Sequence, residues 1–140
     1  MIKNRAMTPS KNLFEAPPPR TVLVIDDERG FCDVVSVILE SQGYEVQQAH
    51  EANDAFGLLT ESIPDLILTD LMMPEIDGLS LIRRLRETPD WAEIPVVMVS
   101  AHSEPAIQES AREAGADGFI AKPFSASELR ATVRAHLVEN

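Results

Sequence analysis

Short apolar runs and longer amphipathic stretches follow one another along this chain in regular alternation. The apolar runs are continuous, which is typical of strands buried on both faces of a sheet. We expect five strands, over residues 21–25, 44–49, 65–69, 95–99 and 118–121, of which 44–49 has the weaker apolar pattern. Each is followed by residues whose apolar positions repeat with the period of an α-helix, so five helices are expected as well.

The first helix shows how the buried helical faces are predicted. Phe31, Val34, Val35, Ile38 and Leu39 fall at i, i+3, i+4, i+7 and i+8, which predicts one buried stripe. The same spacing in the other four helices predicts buried faces made of Ala52, Ala55, Phe56 and Leu59, of Leu79, Ile82 and Leu85, of Ile107, Ala111 and Ala114, and of Leu129, Val133 and Leu137. Each helix therefore has one side that can pack on the sheet.

A few residues mark where the helices begin and end. Gly43 and Gly115 stand where the first and fourth helices should end. Ser125 and Glu128 fit the S-x-x-E capping box at the start of the fifth helix. Asp77, followed by glycine, is expected to set the turn before the third helix.

Strands that alternate with helices predict an α/β fold with a parallel sheet. Because crossovers between parallel strands are right-handed, the helices should cover both faces of that sheet. We therefore expect a three-layer, doubly wound sandwich of five strands and five helices over residues 21–140. Residues 1–20 show neither period and end in three prolines and an arginine, so they are expected to form a flexible N-terminal tail.

Charge and composition limit the partners. The net charge is −11, but residues 1–20 carry +3, which leaves −14 on the remainder. So acidic a domain should repel a phosphate backbone, and no direct contact with nucleic acid is expected. No apolar run is long enough to cross a bilayer, and a single cysteine, Cys32, fits a reducing compartment. We expect a cytoplasmic protein without membrane contact.

Polar side chains stand at the carboxyl ends of the predicted strands, which is where parallel α/β sheets bind ligands. Asp26 and Asp27 follow the first strand, and Asp70 follows the third. Two carboxylates ~4 Å apart repel by roughly 4 kcal/mol at an effective dielectric of ~20, so the cluster needs a cation or protons. Oxygen-only ligands suit magnesium. We also expect Asp26 or Asp27 to cap the first helix in part.

Ser100 and Lys122 stand at the ends of the fourth and fifth strands. A hydroxyl and an ammonium opposite a metal-bound carboxylate form a cradle for a phosphoryl group. An aspartate can be the nucleophile and form an acyl phosphate. The sequence has neither G-x-x-x-x-G-K-[ST] nor G-x-G-x-x-G, so a nucleotide-binding enzyme is disfavoured.

Four segments of this sequence resemble the signature segments of response-regulator receiver domains, the CheY-like superfamily of two-component signalling. They are Val22-Leu23-Val24-Ile25-Asp26-Asp27-Glu28, Asp70-Leu71-Met72-Met73-Pro74-Glu75-Ile76-Asp77-Gly78, Val99-Ser100-Ala101 and Ala121-Lys122-Pro123-Phe124. The similarity covers about residues 21–138, in the order and spacing of the family. The fold that this resemblance implies is flavodoxin-like, with strand order 2-1-3-4-5.

The resemblance also implies a metal site for Mg²⁺, for which Mn²⁺ could substitute. Asp70 is the phosphoacceptor and a metal ligand in this reading. Asp27 would bind the metal directly and Asp26 mainly through bound water. The backbone carbonyl of Met72 would be a further ligand.

Further roles follow from the same resemblance. Ser100 would bind the phosphoryl oxygens by hydrogen bonding and Lys122 would pair with them, across a cis Lys122–Pro123 bond. Phe119 occupies the family's aromatic switch position and would turn inward when Ser100 is drawn to the phosphate. Met72 and His102 are expected to tune how fast the phosphoryl group is lost.

The expected function is a phosphorylation-dependent signalling switch that is not an enzyme beyond its own phosphorylation and dephosphorylation. A histidine kinase or phosphotransfer protein would donate to Asp70. A downstream protein would bind the helix 104–114, the strand 118–121 and the last helix, and the domain would be a monomer or a phosphorylation-dependent dimer. No output domain is expected in this chain. Two alternatives remain open: a constitutive protein-binding module that is not phosphorylated in use, and a small metal-dependent phosphohydrolase.

Overall fold

The computed structural model describes residues 17–137. The strands are β1 (Thr21–Ile25), β2 (Glu45–Ala49), β3 (Leu66–Thr69), β4 (Val96–Ser100) and β5 (Gly118–Ala121). The helices are α1 (Arg29–Glu40), α2 (Ala52–Glu61), α3 (Gly78–Glu87), α4 (Pro105–Ala114) and α5 (Ala126–Leu137). Of the predicted tail, residues 1–16 lie outside the described residues, and 17–20 are exposed without regular structure. The last three residues of the predicted domain, 138–140, also lie outside.

The five strands form one parallel sheet in the order β2-β1-β3-β4-β5, which confirms the predicted doubly wound, flavodoxin-like topology. The register pairs Ile25 of β1 with Thr69 of β3. It also pairs Ser100 of β4 with Ala121 of β5. The residues that follow these strands therefore meet at one edge of the sheet, as expected for parallel strands.

Two apolar cores lie on the two faces of the sheet, and β1 contributes to both because successive side chains point to opposite faces. Leu23 and Ile25 pack in the core that holds the buried residues of α2, α3 and α4. Val22 and Val24 pack in the core that holds those of α1 and α5. The three predicted layers are thus α1 and α5, the sheet, and α2 to α4.

The predicted buried face of α1 is wrong at one position. Val34 is 58% exposed, whereas Cys32 and Ser36 are buried beside Val35 and Leu39. The hydroxyl of Ser36 donates to the carbonyl oxygen of Cys32 at 2.8 Å, so burial leaves it hydrogen-bonded. Apolar spacing alone missed Ser36, because a polar side chain can lie against the sheet once its hydrogen bond is satisfied.

The buried faces predicted for α2, α4 and α5 agree with the structure, with Ile107 half-buried at the edge. On α3, Ile82 and Leu85 are buried as predicted and Leu79 is half-buried, but the prediction missed the fully buried Leu81. Gly115 ends α4 at φ 117°, the left-handed conformation that favours glycine. The amide of Ser80 donates to the Asp77 carboxylate at 2.8 Å, so Asp77 caps α3.

The capping box of α5 is present. The Ser125 amide donates to the Glu128 carboxylate at 2.8 Å, and the Glu128 amide donates to the Ser125 hydroxyl at 3.0 Å. The cap expected for α1 is wrong, because Glu28 is its N-cap residue and the Glu28 side chain makes no capping hydrogen bond. The Asp26 carboxylate instead accepts from the Glu28 amide, ahead of the helix.

The strand boundaries differ from the prediction by one residue at β2, β3 and β4. The shift at β4 matters most, because Ser100 is the last residue of the strand and is fully buried. Within residues 17–137, no helix is long and apolar enough to cross a bilayer.

Candidate functional site

The carboxyl edge of the sheet brings together the side chains that the sequence placed there. The backbone ladder continues one residue past the strands: the amide of Asp26 donates to Ala49, and that of Asp70 donates to the Ile25 carbonyl at 2.9 Å. The Lys122 amide donates to the Ser100 carbonyl at 2.9 Å. These bonds fix the backbone from which each polar side chain projects. The Lys122–Pro123 bond is cis, as the resemblance implied.

Three carboxylates form an acidic cluster at this edge. Asp26, Asp27 and Asp70 each offer an oxygen, and these oxygens lie within 4.8 Å of one another. Asp26 is buried, Asp70 is half-buried and Asp27 is exposed, so the cluster opens to solvent on one side. A set of hard oxygen donors with an open side suits a magnesium-like cation.

Lys122 is the positive group of the site. Its Nζ donates to Oδ2 of Asp26 at 2.9 Å and lies 3.7 Å from Oδ2 of Asp70. Burial lowers the pKa of Lys122, but the hydrogen bond that it donates to Asp26 and the charges of Asp70 and Asp26 outweigh this and raise the pKa. The side chain therefore carries a full positive charge at neutral pH.

Asp70 is held in two ways. The Leu71 amide donates to its Oδ1 at 2.7 Å, while Oδ2 faces Lys122. Burial and the charge of Asp26 raise the pKa of Asp70, and the Lys122 charge and backbone amides counter this only in part. A carboxylate with a raised pKa is a more basic oxygen nucleophile.

Asp26 organises the neighbouring loop. Its Oδ1 accepts from the Glu28 amide at 2.9 Å, and its backbone carbonyl accepts from the Cys32 thiol at 3.3 Å. Burial and the charge of Asp26 raise the pKa of Cys32 to about 11, so the thiol stays protonated. Cys32 is therefore a small core residue that also donates a hydrogen bond toward the site.

The loop after Asp70 packs closely against the start of α3. A Cβ added at Gly78 would lie 2.2 Å from the carbonyl oxygen of Asp70, so only glycine fits there. The amide of Gly78 also donates to the Leu71 carbonyl at 2.8 Å. The Met72 side chain is 58% exposed at the mouth of the site, which leaves its size unconstrained by packing.

Ser100 and Phe119 lie on the α4 side of the cluster. The Ser100 hydroxyl accepts from the amide of His102 at 3.0 Å, and the His102 side chain is exposed. Phe119 is half-buried and lines a cleft of about 430 Å³ together with Pro105, Gln108 and Arg112 of α4. The side chain thus lies between a buried and an exposed environment, one strand away from Ser100.

Sequence reasoning assigned Phe31 only to the apolar face of α1, and it missed a contact with the site. The Lys122 Nζ lies 4.0 Å from the centroid of the Phe31 ring. The rings of Phe31 and Phe124 form a T-shaped pair, with centroids 5.9 Å apart. The available signal was the position of Phe31 in the first turn of α1, four residues after Asp27.

Comparison with known proteins now identifies the class. The sequence matches the response regulator receiver domain family over residues 22–134. The chain belongs to that family. A receiver domain of two-component signalling acts in general as a phosphorylation switch and receives its signal from a histidine kinase.

Particular relatives show the range of proteins that contain this domain. The chain is 40% identical over 116 residues to the DNA-binding dual master transcriptional regulator RpaA of Synechocystis, an alignment that covers 83% of this chain and 48% of RpaA. The chain thus spans about half the length of that relative.

Two solved structures extend the comparison. The signal receiver domain of a signal transduction histidine kinase from Syntrophus aciditrophicus is 34% identical, with a TM-score of 0.78, covering 84% of this chain and 89% of that one. The Vibrio cholerae chemotaxis protein CheY4 is 27% identical, with a TM-score of 0.81, covering 85% and 99%. Receiver domains thus occur in a transcriptional regulator, a histidine kinase and a chemotaxis protein. Membership of the family therefore does not show which process the domain regulates.

Proposed function

We propose that this domain is a signalling switch in which the Asp70 carboxylate accepts a phosphoryl group. The observation that carries the proposal is the arrangement around Asp70: two further carboxylates within 4.8 Å and the Lys122 ammonium 3.7 Å from Oδ2. Phosphoryl transfer needs mainly positioning and charge neutralisation, and this cluster offers both.

The proposed reaction transfers a phosphoryl group from a donor to Asp70. An ionised carboxylate oxygen of Asp70 attacks the phosphorus of a donor, an O–P bond forms, and the bond from phosphorus to the leaving group breaks. The donor would be a phosphohistidine of a histidine kinase or phosphotransfer protein, whose imidazole leaves with the electron pair and takes up a proton. The product is an aspartyl phosphate.

Two donors of this chain would stabilise the phosphoryl oxygens. The Lys122 ammonium already lies between Asp26 and Asp70. The Ser100 hydroxyl accepts from His102, so its own proton remains to be donated. An ammonium and a hydroxyl group in these positions can stabilise the negative charge on the phosphoryl oxygens.

Magnesium, or manganese in its place, would be held by Asp26, Asp27, Asp70 and the backbone carbonyl of Met72. The donor set fits, because it consists of oxygen atoms with an open side toward solvent. When bound, the cation supplies positive charge that neutralises the carboxylates and the incoming phosphoryl oxygens. Met72 and His102, exposed at the mouth, would tune access of water to the aspartyl phosphate.

The output would follow from the position of Ser100. Drawing its hydroxyl to a phosphoryl oxygen breaks the bond with the His102 amide and moves the loop before α4. Phe119 would then turn inward, and a downstream protein would bind the face formed by α4, β5 and α5. The domain would act in the cytoplasm, alone or as a phosphorylation-dependent dimer, without contact to nucleic acid because residues 21–140 carry −14. It would promote only its own phosphorylation and dephosphorylation.

The test is to incubate the full chain with acetyl phosphate, with and without Mg²⁺, and to follow its intact mass. We expect one phosphoryl addition that requires the cation. Asp70→Asn should abolish the addition, and Asp33→Asn, an exposed carboxylate on α1, should leave it unchanged. If the chain binds Mg²⁺ yet neither acetyl phosphate nor beryllofluoride alters it, the switch is refuted and the constitutive binding module is the better account. Turnover of a free phosphomonoester would instead favour the phosphohydrolase.

A further inference from the structure

Lys122 has a third partner besides its two carboxylates. Its Nζ lies 4.0 Å from the centroid of the Phe31 ring, within the range of a cation–π contact. The Lys122 side chain is 16% exposed, so the contact is largely shielded from water. Such contacts are stronger when desolvated.

The Phe31 ring is itself held in place. The ring of Phe124, two residues after Lys122, forms a T-shaped pair with it, with centroids 5.9 Å apart and an interplanar angle of 83°. An edge-to-face pair is a favoured geometry because the positive edge of one ring meets the negative face of the other. Phe31 comes from the first turn of α1 and Phe124 from the loop before α5, so both rings are fixed by elements packed in the same core.

The ring attracts Lys122 without competing for a proton or a cation. Asp26 and Asp70 bind the ammonium ionically, but in the proposed function the same two carboxylates are needed for other partners. A face of an aromatic ring has no lone pair to offer a metal and cannot be protonated at neutral pH. It therefore attracts the ammonium whatever the state of the carboxylates.

We propose that Phe31 is a positioning residue for Lys122, which keeps the ammonium at the phosphoryl site by a cation–π contact. The inference rests on the proposed function, since it assigns Phe31 a part in phosphorylation of Asp70. The competing account is that Phe31 only fills space beside Phe124. The two accounts differ in whether the electron density of the ring matters, or only its volume.

The experiment separates volume from charge distribution. Phe31 is replaced in the full chain by mono-, di- and trifluorophenylalanine, which keep the shape of the ring and progressively weaken its negative face. Phe31→Leu removes the ring, and Phe31→Tyr retains it. Phe56→Leu is the matched control, because Phe56 also bears a cation, Arg84, 4.3 Å from its ring, but on α2 and away from the site.

Two readouts are taken. The first is the NMR shift of the Lys122 side-chain protons near Nζ, which the Phe31 ring current moves upfield. The second is the rate of phosphorylation by acetyl phosphate at saturating Mg²⁺. We expect Phe31→Leu to abolish the ring-current shift and to slow phosphorylation roughly threefold to tenfold. The fluorinated series should slow it stepwise, Phe31→Tyr should retain the wild-type rate, and Phe56→Leu should change neither readout.

The outcomes are distinguishable from those that test the switch itself. If the wild-type chain is not phosphorylated at all, the proposed function fails, while the ring-current shift still reports the contact. If the wild-type chain is phosphorylated on Asp70 and the fluorinated series reacts at one unchanged rate, the positioning role of Phe31 is overturned. A loss of rate in Phe31→Leu alone, without any trend in the fluorinated series, would also overturn it in favour of packing.

Discussion

Charged side chains cluster at both edges of the sheet, and the two clusters are built in opposite ways. At the carboxyl edge, the carboxylates of Asp26, Asp27 and Asp70 meet the Lys122 ammonium, so negative charge is in excess. At the amino edge, the Arg86 side chain of α3 is surrounded by acceptors that satisfy it.

The Arg86 guanidinium ties three segments together. It donates to the carbonyls of Ala92 and Ile94 in the connection to β4, at 3.0 and 2.7 Å. It also donates to the carbonyl of Gly115 after α4, at 3.0 and 2.8 Å, and to Oδ2 of Asp117 at 2.9 Å. Planar guanidinium donors suit such a fixed set of acceptors.

The difference shows where stability and function lie in this fold. A charged group that the protein satisfies completely joins elements but has nothing left to bind a ligand with. The carboxylates at the other edge repel one another, so they gain from a cation or a phosphoryl group supplied from outside. The contrast predicts that substitutions at the amino edge destabilise the fold, whereas those at the carboxyl edge alter chemistry and can even stabilise it.

The largest effect is expected from Arg86→Met. This change removes the donor from three carbonyls that are buried or half-buried, and one of the two donors to the Asp117 carboxylate, which also accepts from the Val96 amide. The free energy of unfolding should therefore fall by roughly 2–4 kcal/mol. Urea denaturation of the full chain measures it. Arg83→Met, an exposed arginine on the same helix, should shift it by less than about 0.5 kcal/mol. Equal effects of the two changes would break the contrast between the edges.

The second prediction concerns Asp70, whose replacement by asparagine should stabilise the domain. Burial and the charge of Asp26 raise the pKa of Asp70 in the folded domain, so its ionisation opposes folding. Without divalent cation at pH 7, Asp70→Asn should therefore raise the free energy of unfolding by about 1–2 kcal/mol. Urea denaturation in a chelator measures this gain.

The sign of its pH dependence follows from proton uptake. Between the unfolded pKa of Asp70 and its raised folded pKa, the native state binds more protons, so stability falls as pH rises. The advantage of Asp70→Asn should consequently be complete above the folded pKa and vanish below the ordinary value of ~3.9. Asp90→Asn, an exposed carboxylate, should show no such gain. If Asp70→Asn lowered the free energy of unfolding at pH 7 in a chelator, the inference that the Asp70 charge destabilises the folded domain would be wrong.

The sequence allowed the whole fold and most of the carboxyl edge to be predicted. Strand and helix periods are local properties, and the topology places strand ends together whatever the details of packing. This is why Asp26, Asp70, Ser100 and Lys122 could be assigned to one site from the order of residues along the chain. What failed was the boundary of the buried stripe on α1, where Val34 is exposed, because apolar spacing does not register small polar residues.

The amino edge could not be predicted in the same way. Arg86 reaches acceptors 29 and 31 residues away, at Gly115 and Asp117, and nothing in its neighbours along the chain marks it off from Arg83 or Arg84. The contact of Phe31 with Lys122 could not be predicted for a similar reason. An aromatic residue on the apolar face of a helix has the same sequence pattern whether it only packs in the core or also contacts a charged side chain. Contacts made by long side chains between distant segments depend on packing, which periodicity does not encode.

The smallest effect on stability, and the sharpest on response, is expected from Ser100→Ala. Although Ser100 is 0% exposed, its hydroxyl accepts a hydrogen bond from the amide of His102, in an exposed loop where water can replace it. Loss of the hydroxyl should therefore change the free energy of unfolding by less than about 1 kcal/mol. It should nevertheless abolish the change in the NMR signals of Phe119 on adding beryllofluoride and Mg²⁺. Ser103→Ala, in the same loop, should keep that change. If Ser100→Ala destabilised the domain as much as Arg86→Met, the carboxyl edge would also contribute strongly to stability. The proposed difference between the two edges would then be wrong.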